Sequence, residues 1–273
     1  MRIVYATDLH GDPKHYETLF AALKTGDVLI LGGDLAPNYL RLHENLALQR
    51  KFVAQSLIPG LKTLLAERSV RTYLILGNDD WAASAELIEN ERDLYWIADE
   101  PAGLAHWLVV GYPFVNVTPF AIKDWEKWDT EERTGDRISG YTSRGGAIRP
   151  CSLEEQQTTI AADMERLRHS VPQGPFIFVS HCPPYGTGLD RLHGGEHVGS
   201  RAIRQFILDR QPVLSLHGHI HESPKVSGRW VEELGGTLAV NPGREPEPCY
   251  VTAELDDIRG TLAHSRFGPA RPE

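Results

Sequence analysis

The chain has 273 residues, 41% hydrophobic and 24% charged, which supports one or two globular domains with a sizeable core. Acidic residues outnumber basic ones 37 to 28, giving a formal charge of −9. That sign weighs against extended nucleic acid as a partner, because such binding depends on Lys and Arg neutralising phosphates. It does not exclude a small phosphorylated substrate, since a local site can oppose the global charge. Twelve His accompany three Cys (Cys151, Cys182, Cys249) with no CxxC pair, so a disulfide framework and a thiolate zinc site are excluded. Met1 leads directly into the apolar run Ile3–Ala6, without a signal-peptide pattern. No apolar stretch approaches the roughly 18 residues of a membrane span. A cytoplasmic location and no membrane span are therefore expected.

Six short apolar runs read as strands: 2–7, 27–32, 71–76, 107–111, 175–180 and 212–216. They are continuous rather than alternating, as expected where both faces are covered. Helices are expected over 14–24, 44–67, 84–90, 152–169 and 199–210, with Pro59-Gly60 breaking the second into two. Early strand–helix alternation points to an α/β fold with a parallel sheet. From residue 222 the texture changes, and 225–233, 236–241, 249–256 and 260–266 read as an antiparallel tail of strands and hairpins. Residues 112–150, rich in Pro, Gly and charge, form a long irregular segment of the kind that serves as a lid. Trp125 and Trp128 lie in it, and packing is the preferred role for both over stacking on a nucleobase. The whole chain, 1–273, reads as one domain.

Five of the runs end in residues able to bind metal: Asp8-Leu9-His10, Gly33-Asp34, Asn78-Asp79-Asp80, His181 and His219-Ile220-His221. Ligands of α/β sheets gather outside the carboxyl ends of strands. The i,i+2 spacing of Asp8/His10 and of His219/His221 puts each pair on one face of extended chain. Singly these signals are weak, and a lone His181 is more often a satisfied buried histidine. An ordered set of five at strand ends is not a chance assembly.

This set resembles the calcineurin-like metallophosphoesterase superfamily, whose pattern runs D-x-H, GD, GNH-D/E, H, GH-x-H. The stretches GGDLAPN (32–38), GYPFVNVTPFAIKDWE (111–126), SHCPPYGTGLDR (180–191), HVGSRAIRQFI (197–207) and NPGRE (241–245) are similar to its Icc-like predicted phosphoesterases. The resemblance implies an α/β fold in four layers, an αββα sandwich of two mixed sheets flanked by helices. It also implies two divalent transition metal ions. Asp8, His10 and His221 would hold one, Asn78, His181 and His219 the other, and Asp34 would bridge them. A mixed imidazole and carboxylate set suits Mn, Fe, Zn or Ni. The implied chemistry is phosphoester hydrolysis by a hydroxide bridging the metals.

One departure is informative. Asp79 stands where the family pattern has the His that faces the leaving group. An ionised Asp79 would repel a dianionic monoester, whereas with a raised pKa it could act as a general acid. Family members lacking this His resemble phosphodiesterases, so the resemblance implies a phosphodiesterase over a phosphomonoesterase or protein phosphatase with the same site. Asp79 and Asp80 are the catalytic candidates, Asp80 by orienting a neighbour of the metals. Arg244 and Arg191 are candidate substrate contacts. His217, His193, His197 and Cys182 are assigned packing or loop roles. Two rivals remain: a metal-binding scaffold without activity, disfavoured by the complete ligand set, and a binuclear amidohydrolase, disfavoured because its His-x-His comes early. The expected partner is a small phosphorylated, nucleotide-like substrate, and the reading leaves room for a homodimer.

Overall fold

The computed structural model describes residues 1–39, 41–132, 139–155, 158–244, 246 and 248–270. Two mixed sheets pack face to face. The first has seven strands, in the order Gly268–Pro269, Ala263–His264, Tyr250–Glu254, Arg2–Ala6, Val28–Gly32, Arg71–Ile75 and Leu94–Trp96. The second has six, in the order Val231–Leu234, Thr237–Val240, Leu214–Leu216, Phe176–Ser180, Trp107–Tyr112 and Ala102–Leu104. All six expected strands are present.

Continuity of the apolar runs follows from the layering. Ile3, Tyr5, Val28, Ile30, Tyr73 and Ile75 face the second sheet, meeting Val109, Ile177, Val179, Leu214 and Leu216. The alternate residues Val4, Ala6, Leu29, Leu31 and Leu74 face outward onto helices Pro13–Ala22 and Ile58–Arg68 through Tyr16, Leu19 and Leu61. On the far side, Val110, Phe176 and Phe178 pack against helices Ile160–Ser170 and Arg201–Arg210. A strand with both faces buried favours apolar residues along its length, and its charged or metal-binding residues fall at its end. That is where the candidate ligands sit.

Three expectations need correction. Pro59-Gly60 does not break the helix. Leu42–Phe52 continues through a π-helical turn, Val53–Leu57, into Ile58–Arg68. The Ile58 N–H reaches back five residues to Val53 O, and this wider turn admits the proline ring without ending the rod. The 152–169 stretch becomes one turn at Leu153–Glu155 and a helix that starts only at Ile160, capped by Thr159 Oγ1 accepting from the Ala162 N–H. The tail is neither all-antiparallel nor one unit. It opens with a helical turn, Ser223–Ser227, and Thr237–Val240 then runs parallel to Leu214–Leu216 in the second sheet. Tyr250–Glu254 pairs antiparallel with Arg2–Ala6 in the first. Leu238, Val240, Val251 and Ala253 all enter the core between the sheets, so the tail extends both of them.

Segment 112–150 is tied to the body by buried polar groups. Ser139–Thr142 forms a hairpin with Arg149–Ser152, and Trp125 and Trp128 are only 6% and 4% exposed. Asp124 accepts from the Ala82 and Ser143 amides and from the Ser143 hydroxyl at 2.6 Å. The Lys123 ammonium sits 2.6 Å from Glu126, both side chains wholly buried, and donates to Thr118 O as well. Removing one member of a buried pair strands the other, at about 3–5 kcal/mol. Lys123→Met should therefore lose that much stability in urea unfolding. A loss below about 1 kcal/mol would mean that the pair anchors nothing.

Candidate metal centre

The candidate residues sit on loops leaving parallel strands of both sheets. Asp8, Asp34 and Asn78 follow Arg2–Ala6, Val28–Gly32 and Arg71–Ile75, while His181, His219 and His221 follow Phe176–Ser180 and Leu214–Leu216. Backbone bonds staple these loops together. The Asp8 and His10 amides donate to Gly33 O and Asp34 O, at 3.0 and 2.9 Å, and the Gly218 amide donates to His181 O at 3.0 Å. The His219 N–H donates to the Asp8 carboxylate at 3.1 Å, and the Asp79 N–H to Asp34 Oδ1 at 2.8 Å.

Two groups of donor atoms converge, Asp8/Asp34/His181 and His10/Asp34/Asp79, each within 4.8 Å. Asp34 belongs to both. His181 and His219 stand with ring centroids 5.5 Å apart, and His10 and His221 with theirs 6.1 Å apart. His10 Nδ1 lies 3.7 Å from Asp79 Oδ2. The resemblance alone did not anticipate Asp79 within ligand distance of His10.

Asp8, His10, Asp34 and His219 all have positive φ, 54°, 45°, 51° and 64°. Left-handed backbone at non-glycine residues costs of order 1 kcal/mol or more each, and it persists where the surroundings fix it for function. Space is equally constrained. A Cβ at Gly77 would fall 2.4 Å from Asp34 Oδ1 and 2.6 Å from His181 Nε2.

The donor set fits metal ions. The His181 Nδ1–H donates to Gly32 O at 2.8 Å, which turns Nε2 toward Asp34 at 3.3 Å, where it carries a proton that a metal ion would replace. His181 Nε2 and Asn78 Oδ1 are buried without a hydrogen-bond partner. Burial opposes charge on His181, but the Asp34 carboxylate beside it prevails and lifts the imidazole to about 9. Asp34 is likewise buried, yet His181 holds it below the usual carboxylate range. Burial, aided by His181, pushes His219 down to about 3, leaving it neutral. Burial and the Asp34 charge push Asp79 up to about 6. A divalent cation among these groups would relieve the crowding of carboxylates and take up the free lone pairs.

Asp80 is fully buried and faces away from the cup. Its carboxylate accepts from the amides of Leu35, Ala36 and Gly77 at 2.9–3.1 Å, tying the Asp34 loop to the Asn78 loop. Burial and Asp34 raise it to about 7, against the pull of those amides. It is a positioning residue. His217 packs as expected, with Nδ1 against the carbonyls of Ser180 and Cys182 and Nε2 at 2.7 Å from Ser215 Oγ. Cys182 points into the outer core of the second sheet. His197 is held by Asp190, and the exposed His193 lies near Glu222.

Of the two arginines, Arg244 shares a cavity with a candidate ligand. Arg244 and His221 line one cavity, whereas Arg191 is exposed on a neighbouring loop and absent from that lining. The sequence reading missed Asn38, which lies beside Asp79, favours its charged form and accepts from Asn45 at 2.6 Å. The signal available was its place four residues after Asp34 in GGDLAPN.

Two packed mixed sheets carrying a cup of imidazoles and carboxylates at their strand ends define a metallohydrolase scaffold. The chain belongs to the calcineurin-like phosphoesterase family, whose model matches residues 1–223. That membership implies metal-dependent phosphoester hydrolysis. No curated protein matches the chain. Among solved structures, the TT1561 protein of Thermus thermophilus is 18% identical, with 97% of each chain covered and a TM-score of 0.58. A further crystal structure is 16% identical, covering 98% of this chain and 99% of its own, with a TM-score of 0.65. Both show the shared fold. No helix among the described residues is long and apolar enough to cross a membrane.

Proposed function

We infer that the protein is a binuclear metal-dependent phosphodiesterase. The observation that carries the reading is Asp34, whose carboxylate lies within 4.8 Å of donors from Asp8 and His181 and from His10 and Asp79, two groups that cut across the ligand sets the family pattern implies. Asp8, His10 and His221 would hold one ion, Asn78, His181 and His219 the other, and Asp34 would serve both. Divalent ions there would supply Lewis acidity toward water and phosphoryl oxygens. The chain's own residues do the rest. Gly32 O fixes the His181 tautomer, Asp80 fixes the two loops, and Asn78 contributes a neutral oxygen that leaves the cup positive. Asp79 presents a carboxylate on the His10 side. A diester carries one negative charge at phosphorus and a monoester two, so repulsion by an ionised Asp79 discriminates against the monoester.

The test is a matrix of metals and substrates on chelated protein, with Mn, Zn, Ni and Fe against a generic diester, a generic monoester and cyclic nucleotides. Metal-restored diester hydrolysis is expected, with the monoester at least about tenfold slower, or ~1.4 kcal/mol. Asp79→His should raise the monoester-to-diester ratio by about the same factor. A panel in which that ratio does not move removes Asp79 from the account. Activity surviving complete chelation overturns the mechanism.

A further inference from the structure

We propose that the cavity beside His221 is a subsite for a second anionic group of the substrate, a phosphate carried on the alcohol portion of the diester and bound by Arg244. The proposal rests on the phosphodiesterase reading and deepens it.

The cavity has a volume of about 340 Å³ and opens from the His221 ring. That is within the range of small-ligand sites. Its side chains are charged or polar apart from Pro246, with Lys225 and Arg244 as its cations, which favours an anionic group. The carboxylates in the lining are each beside a histidine. Asp12 lies 3.9 Å from His15, and Glu222 lies 3.4 Å from His193. Arg244 differs. Among the described residues its guanidinium has no carboxylate partner, and its Nε is buried without a hydrogen-bond acceptor. A buried donor on a permanent cation is costly unless an acceptor completes it, and a planar guanidinium matches phosphate oxygens in particular.

Arg244 is also placed by construction. The turn Asn241–Arg244 is folded onto the backbone that carries the candidate ligands. Asn241, fully buried, donates through Nδ2 to Leu189 O, Gly218 O and Ile220 O and accepts from the Gly243 amide. Gly243 has φ +69°, and a Cβ there would lie 2.8 Å from His221 O. The Arg244 N–H then donates to His221 O at 3.0 Å. His15 Nε2, 3.2 Å from Pro246 O, ties the same loop to the first helix. The guanidinium is thereby fixed to the residue that would hold an ion, at one side of the cup. An anion bound there belongs to the same substrate molecule as the phosphorus, because the cavity and the cup share His221.

Two chromogenic diesters test this: p-nitrophenyl thymidine 5′-phosphate, with and without a 3′-phosphate. Isothermal titration calorimetry with thymidine 5′-phosphate and thymidine 3′,5′-bisphosphate, with and without EDTA, gives a readout independent of turnover. The wild type should favour the bisphosphate and the 3′-phosphorylated diester about tenfold, as one added charge-assisted contact allows. Arg244→Met should bring both ratios to about one, and Arg244→Lys should keep part of the preference. Equal affinity for the two nucleotides in the wild type overturns the subsite, even if both diesters are hydrolysed. A preference that persists in Arg244→Met overturns it too. A bisphosphate preference lost in Arg244→Met, with neither diester hydrolysed, sustains the subsite and overturns the phosphodiesterase reading instead.

Discussion

Asp34→Asn is expected to abolish metal-dependent hydrolysis, lowering kcat/KM at least about a thousandfold, or ~4 kcal/mol of transition-state stabilisation. The substitution keeps the shape of the side chain and removes its charge. Asp34 is the carboxylate common to both donor groups, so its loss weakens both, whereas a change at His10 removes a donor from one. A binding measurement separates this from a folding defect. At a Mn concentration 100 times its Kd, the wild type should gain about 2.7 kcal/mol of stability over the chelated protein. Asp34→Asn should gain almost none, while its chelated form still unfolds cooperatively. Full metal-induced stabilisation in the variant would show that Asp34 does not hold the ions.

Asp80→Ala should destabilise the fold about as strongly as Lys123→Met. The carboxylate is wholly buried and satisfies the amides of Leu35, Ala36 and Gly77. Each unsatisfied buried amide costs about 1–3 kcal/mol, partly recovered if water enters, so a loss of roughly 3–5 kcal/mol in urea unfolding is expected. Asp80→Asn should lie between wild type and Ala, because its amide oxygen still accepts while its NH₂ faces a donor. Metal affinity should fall with stability in both variants, since the two joined loops carry Asp34 and Asn78. A loss under about 1 kcal/mol in Asp80→Ala would reduce Asp80 to a bystander.

The six core strands were legible because a strand buried on both faces must be continuously apolar. The candidate ligands were legible because each such run turns to charged and imidazole residues where it ends. Other features were illegible for equally physical reasons. The short strands Leu94–Trp96 and Ala102–Leu104 are too brief to show a period. Pro59 breaks a helix on local propensity alone, yet a π turn and the packing of Ile58 and Leu61 on the core keep the rod continuous. The tail splits between two sheets because each presents an edge, and local hydropathy does not choose between edges.

The sequence by itself determined the strand runs, the residue types at their ends and, through its motifs, the family. Local chemistry decides these, since burial and hydrogen-bonding needs are written residue by residue. Only the tertiary structure decided that Asp79 stands at His10, that Asp80 turns inward to the backbone and that Arg244 lines a cavity with His221. Those outcomes depend on the left-handed backbone at Asp8, His10, Asp34 and His219 and on the packing of two sheets whose loops interlock. Such long-range constraints set direction and distance, and no pattern of neighbours along the chain encodes them.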